Sequence, residues 1–300
     1  MPVSKPPMKT PSPDPKLVRP RQRLDIFQQS LRLPIVIWQC LFFIAPLFFL
    51  VAMSFFIVRN YRMTEAFEMK NWLKMMSRDY FWDSYGLTIG LATLATLVVM
   101  TVAFPAAYTL AFRVSENTRR WAIFLLIIPF FTSYLVRIFS WYEILAESGV
   151  INAMLGYIGL GPYIMLNTKF GTIIGYMTLT LPLVIILQTF SLANIDRRLV
   201  EAAHNLGCQP WRTIVRVILP LAKTGFIIAA VFCFILSFGD FVSPYYLGGS
   251  KPPTLPILIV DTVKSGQQWP RAAVVAVVMM VTLFIVAFCG IAAAYRRRTA

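Results

Sequence analysis

The sequence predicts an all-α, polytopic membrane protein with six transmembrane helices. Three observations predict it. Apolar residues make up 58% of the chain, mean hydropathy is +0.67 and charged residues are only 14%, whereas soluble domains are roughly 45–50% apolar. Six stretches reach the length of about 20 mostly apolar residues that a membrane-crossing helix needs: 35–58, 86–112, 121–142, 170–192, 224–243 and 271–295. The Lys and Arg residues are also shared unequally between the two sides of those stretches, as they are in multi-pass membrane proteins.

Taken in order, residues 1–34 are a basic, Pro-rich tail without apolar periodicity, and 1–20 are expected to be disordered. Residues 35–58 are too long for a signal-peptide core of about 7–15 residues and are read as an uncleaved first span. The connection 59–85 balances Arg59, Arg62, Lys70, Lys74 and Arg78 with Glu65, Glu68, Asp79 and Asp83, as an amphipathic surface segment does. Pro105, Pro129 and Pro182 fall inside the second, third and fourth spans. Each removes a backbone hydrogen bond and kinks its helix, either for packing or as a hinge. The connection 143–169 contains ESGVINAMLGYIGLGPY. Ser148 is a candidate N-cap there, Gly156 to Gly161 are breakers, and a short interfacial helix is expected between them. The connection 244–270 carries no predicted element. Residues 296–300 form a basic C-terminus after the sixth span.

Charge gives the orientation. One side carries seven cations in the tail, then Arg113, Arg119 and Arg120, then Arg197, Arg198, Arg212, Arg216 and Lys223, then Arg296, Arg297 and Arg298. That is eighteen against nine on the other side, with Arg137 inside a span. The positive-inside rule then places both termini and the loop 193–223 in the cytoplasm. The net charge of +15 is therefore read as topology rather than as a nucleic-acid surface. The four cysteines, Cys40, Cys208, Cys233 and Cys289, show no metal or redox spacing.

The loop 193–223 is the most informative segment. It reads EAAHNLGCQPWRTIVRVILP from residue 201 to residue 220. Glu201, Ala202 and Ala203 give a helix with a small-residue face. Gly207 stops it in a left-handed cap, and Pro210 suits the first turn of a second helix. Arg212 and Arg216 share a face of that helix, and Leu219-Pro220 redirects the chain. This spacing resembles the EAA loop of the permease subunits of type I ABC importers, with Val217 standing where the family pattern has Ile. The resemblance implies six helices with cytoplasmic coupling helices, in the bacterial inner membrane. It also implies that Glu201, Ala202, Ala203, Gly207, Val217, Leu219 and Pro220 couple the chain to an ATPase subunit. Further segments resemble the spermidine/putrescine branch of the family: AFPAAYTLAF at 103–112, IIPFFTSYLVRIFSWYEIL at 127–145, and FGDFVSPYYLGG at 238–249. They look closer to the first of the two permeases that such systems carry.

That branch implies a polyamine cargo. It also implies, as partners, a second permease, an ATPase dimer, a periplasmic solute-binding protein and the lipid bilayer. The chain has no G-x-x-x-x-G-K-[ST] phosphate loop and no H-E-x-x-H. We therefore expect no cofactor on this chain, with ATP and Mg on the partner ATPase, and no enzyme activity of its own. Inside the spans, Asp240 is the one acid at depth and Arg137 the one cation. Buried charges in membranes are costly, about 2.5–3.5 kcal/mol for a cation at mid-bilayer on the insertion scale, and often functional. Asp240, Arg137, Glu143, Trp141 and Tyr134 are the candidates for a substrate path. Acids and aromatic faces suit a polyamine; Arg137 does not, and serves equally well as a structural pairing group. Other importers for opines, iron or amino-acid-like solutes share similar segments. A channel or a secondary transporter with six spans is the remaining alternative, and it leaves the EAA loop unexplained.

Overall fold

The computed structural model describes residues 33–59 and 62–295. The expectations for the tail up to Arg32 and for the C-terminal residues 296–300 lie outside the described residues. The first apolar stretch forms helix α1, Leu33–Met53. It begins two residues before the predicted span and ends five residues before its predicted end. The chain then enters an antiparallel hairpin of β1 (Ile57–Arg59) and β2 (Arg62–Thr64), with Ile57 opposite Thr64.

From residue 50 on, the chain forms one compact unit. Its elements are α2 (Lys70–Met76), α3 (Asp79–Arg113), α4 (Glu116–Phe131), α5 (Tyr134–Leu145) and α6 (Val150–Tyr157). Then come α7 (Lys169–Ala193), α8 (Arg197–Asn205), α9 (Pro210–Leu221) and α10 (Lys223–Gly239). The last are α11 (Val242–Tyr246), α12 (Leu255–Lys264) and α13 (Trp269–Tyr295). The predicted amphipathic surface segment at 59–85 holds the hairpin and α2, and its last seven residues already belong to α3, which starts at Asp79 rather than at 86. Asn71 on α2 donates to the Ser54 and Phe56 carbonyls at 3.2 and 2.6 Å, and the Trp72 indole donates to the Ser54 hydroxyl.

Among the described residues, four helices are long and apolar enough to cross a membrane, or up to six if each of two bent pairs is one span. One bent pair is α9 with α10, at 77°, and the other corrects a predicted span. The stretch 121–142 was expected to continue through a kink at Pro129, but it breaks at Thr132-Ser133 and turns by 91°. The helix runs through Pro129 and ends two residues later, at Phe131. Thr132 then folds its backbone N–H and its hydroxyl onto the Pro129 carbonyl, at 3.3 and 2.9 Å. The stretch 224–243 also departs from expectation: its helix ends at Gly239, Asp240 adopts an extended conformation, and α11 starts at Val242. Ser148 was expected to cap α6. The N-cap is Gly149, and Asn152 holds the turn instead, donating to the Ala146 and Tyr163 carbonyls and accepting from the Tyr163 N–H. The connection 244–270 is not structureless: α12 buries Leu255, Ile257 and Leu258.

Helices α3, α7 and α10 form the centre. Val99, Ala103, Val184, Ile185, Ala229 and Cys233 pack where they meet. A second cluster, from Phe81 and Ala92 through Phe238 and Leu255 to Val274 and Met279, joins α12 and α13 to that centre. Buried hydroxyls return their protons to carbonyls one turn back, as Thr88, Thr180 and Thr189 do at 2.6 to 2.7 Å. A segment in lipid must satisfy its polar groups internally, and these helices do so at each of those positions. Gln188 crosses from α7 to the Met100 carbonyl of α3 at 3.1 Å.

Candidate functional site

The loop between α7 and α10 is built as two short helices on an apolar seat. The Asp196 side chain accepts from the Arg198 N–H at 3.0 Å and starts α8, as an N-cap does. Gly207 ends it with φ +77°. A β-carbon there would meet nothing within 4 Å, so the backbone angle, not space, calls for glycine. Behind it the Cys208 N–H returns to the Ala203 carbonyl at 3.0 Å. Pro210 opens α9 at its first turn. The middle of α9, Ile214–Ile218, is a wider π-type turn that drives Ile218 into the core.

Ile218, Ile195 and Ala222 pack on Leu192, Ala107 and Ala111, the inner faces of α7 and α3. Arg197 donates to the Ala111 carbonyl at 3.3 Å. The rear of the loop is therefore fixed to the helix bundle. Its front is free: Glu201, Ala202, Gly207 and Pro220 are exposed, while Ala203, Val217 and Leu219 are half-buried. Sequence reasoning missed two residues on this front. Leu206 is 89% exposed and Trp211 71%. Their signal was present as an apolar residue just before the capping glycine and another just after Pro210, at the polar turn HNLGCQPWR between the two helices.

The second group of candidates gathers where α5, α7, α10 and α11 meet. The Asp240 carboxylate caps α11, accepting from the Val242 and Ser243 N–H groups at 2.9 and 3.2 Å. It also accepts from the Ser243 hydroxyl, and from the Tyr134 hydroxyl at 2.7 Å. Asp240 is 7% exposed. Gly175 of α7 lies directly against Ser243, and a β-carbon at 175 would overlap the serine side chain. The Arg137 guanidinium lies 5.6 Å from the Tyr134 ring centroid and donates to the Thr178 carbonyl at 3.1 Å. Trp141 joins Arg137 in lining a groove of about 340 Å³ with Pro129, Ile174, Met177 and Pro182. Tyr134, Arg137 and Asp240 are thus brought together, and Trp141 is beside them. Glu143 stands apart on an exposed face, and among the described residues it forms no ion pair with Arg137.

Three comparisons with known proteins bear on this geometry. Residues 100–300 match the family described as binding-protein-dependent transport system inner membrane component. The spermidine/putrescine transport system permease protein PotB of Haemophilus influenzae is 28% identical over 262 residues, 84% of this chain and 88% of that protein. Among solved structures, a bacterial ABC transporter involved in the import of the acidic polysaccharide alginate superposes with a TM-score of 0.71. It is 18% identical and covers 93% of this chain and 98% of its own. The bacterial alginate transporter in complex with alginate pentasaccharide-bound periplasmic protein gives a TM-score of 0.68 at 18% identity, covering 89% and 93%.

Proposed function

The chain belongs to the family of inner membrane components of binding-protein-dependent transport systems and is a permease subunit of an ABC importer; from that premise we propose that it imports a polyamine and couples to a separate ATPase through the loop 193–223. The observation that carries the coupling is the loop itself. Its rear is locked into the α3–α7 core through Ile195, Ile218 and Arg197. Its front presents Glu201, Ala202, Leu206 and Trp211 to solvent. A surface of exposed apolar residues on a rigid support is what a docking partner needs. Leu206 and Trp211 enter the cleft of the ATPase, and the small face at Ala202 and Ala203 permits close approach. ATP and Mg belong to that partner. A second permease completes the pore, and a periplasmic binding protein delivers cargo to the face opposite the loop.

The polyamine reading is supported by the permease named for spermidine and putrescine at 28% identity over most of both chains. Tyr134, Trp141 and Asp240 offer aromatic faces and a carboxylate along the route of a polycation. The loop lies on the side richer in Lys and Arg, which supports a cytoplasmic location for it and for both termini. The test is ATP hydrolysis by the complex reconstituted in liposomes with its binding protein, with and without spermidine or putrescine. Stimulation by either polyamine is the expected result. Stimulation by another solute alone would keep the coupling and discard the cargo. No ATPase activity under any condition would overturn the proposed coupling through the loop 193–223.

A further inference from the structure

Proline kinks leave a specific atom without a partner. In an α-helix the carbonyl of residue i accepts from the N–H of residue i+4. Pro182 has no N–H, so within α7 the carbonyl left over is that of Thr178. Thr178 does not repair this with its own side chain, whose hydroxyl goes to the Ile174 carbonyl at 2.8 Å. The group that reaches the Thr178 carbonyl is the Arg137 guanidinium, from α5, at 3.1 Å. Arg137 and Pro182 also line the same groove. Pro105 and Pro129 leave the carbonyls of Thr101 and Leu125 in the same way, and among the described residues no side chain donates to either. Of these three prolines, Pro182 is the one whose freed carbonyl is reached by a charged side chain.

The position of Arg137 on α5 fits this role. α5 starts at the elbow after Thr132-Ser133, where the segment Tyr134–Tyr157 is turned by 91° from α4. A short helix turned out of its span needs ties to its neighbours. It has one to α10 and α11 through Tyr134, which donates to Asp240. It has another to α7 through Arg137. The two ties sit three residues apart on one face of α5, and the guanidinium also rests on the Tyr134 ring. Hydrogen bonds to charged donors are about twice as strong as neutral ones, and a carbonyl stranded among apolar side chains is costly to leave bare.

We propose that Arg137 is a positioning residue, a joint that satisfies the carbonyl freed by Pro182 and holds the elbow helix α5 on α7 at that point. Arg137 then carries no cargo contact. Its charge strengthens the single bond that one guanidinium nitrogen makes to the Thr178 carbonyl. The joint sits on α7, the helix whose far end leads into the loop 193–223, so α5 and that part of α7 move as one unit when that loop is displaced.

The test is a rescue. Arg137→Met, Arg137→Lys, Pro182→Ala and the Arg137→Met/Pro182→Ala pair are made in the full chain. Thermal unfolding in detergent, followed by tryptophan fluorescence, requires neither cargo nor ATPase, so its outcome is independent of the polyamine and coupling readings. Arg137→Met is expected to lower the midpoint by about 3–8 °C, and Arg137→Lys by less. Pro182→Ala restores the N–H for Thr178, so the pair is expected to recover at least half of the loss. If Arg137→Met alone prevents accumulation in the membrane, the pair is expected to accumulate. A pair as impaired as Arg137→Met, simple addition of the two single effects, or an unchanged midpoint in Arg137→Met would each overturn the joint.

Discussion

Asp240 shows what a residue type and a hydropathy profile can and cannot say. Its depth in an apolar stretch singled it out. The structure adds that two backbone N–H groups, the Ser243 hydroxyl and the Tyr134 hydroxyl all donate to it. The Tyr134 partner is not visible in sequence spacing, because it is 106 residues away; Val242 and Ser243 are local, two and three residues on. A polycation passing this point would compete with Tyr134 for the carboxylate. Asp240→Asn keeps one acceptor oxygen for the helix cap and removes the charge. We predict that spermidine uptake falls at least about tenfold, the effect of losing a charge-assisted interaction of roughly 1.5–3 kcal/mol, while the complex still assembles. Normal uptake kinetics in that variant would leave Asp240 as a helix cap alone. Trp211 and Leu206 were missed for the opposite reason. Exposure of an apolar side chain depends on which face the folded loop turns outward, and that follows from Ile195 and Ile218 being claimed by the core.

Among the elements, those with strong local punctuation were legible. Gly207 in the left-handed region and Pro210 in a first turn are as the sequence indicated, because glycine and proline constrain the backbone where they stand. The elbow after α4 was not legible. Hydropathy is blind to direction, and a stretch such as PFFTSYLV scores alike whether it runs straight or turns. α12 was missed because its ten residues are too few for a span, and its burial against α13 is a tertiary contact. The loop geometry makes its own prediction. Gly207→Pro demands φ near −65° where the chain needs +77°, so α8 loses its end and the front of the loop shifts. Membrane insertion is expected to be normal and ATP-driven uptake abolished. Uptake at wild-type rate, measured in the same vesicles, would show that the turn is dispensable.

For the whole molecule, the class was legible and the packing was not. Apolar length and the placement of Lys and Arg depend on composition along the chain, and a bilayer imposes both directly. Which helices form the centre depends on small residues meeting across α3, α7 and α10, such as Ala103 and Ala229, and several arrangements satisfy the same hydropathy. With the loop as the coupling element, force enters there and reaches the bundle through α7. Glu201 stands on the exposed front of that loop, so Glu201→Lys leaves the fold within about 0.5 kcal/mol of the original while placing the wrong charge at the docking surface. The most direct measurement is co-purification of the ATPase with the membrane-inserted chain, comparing wild type with Glu201→Lys at equal membrane yield. ATPase is expected to be retained by the wild type and lost from the variant. Equal retention by both would contradict the assignment of this loop as the coupling element.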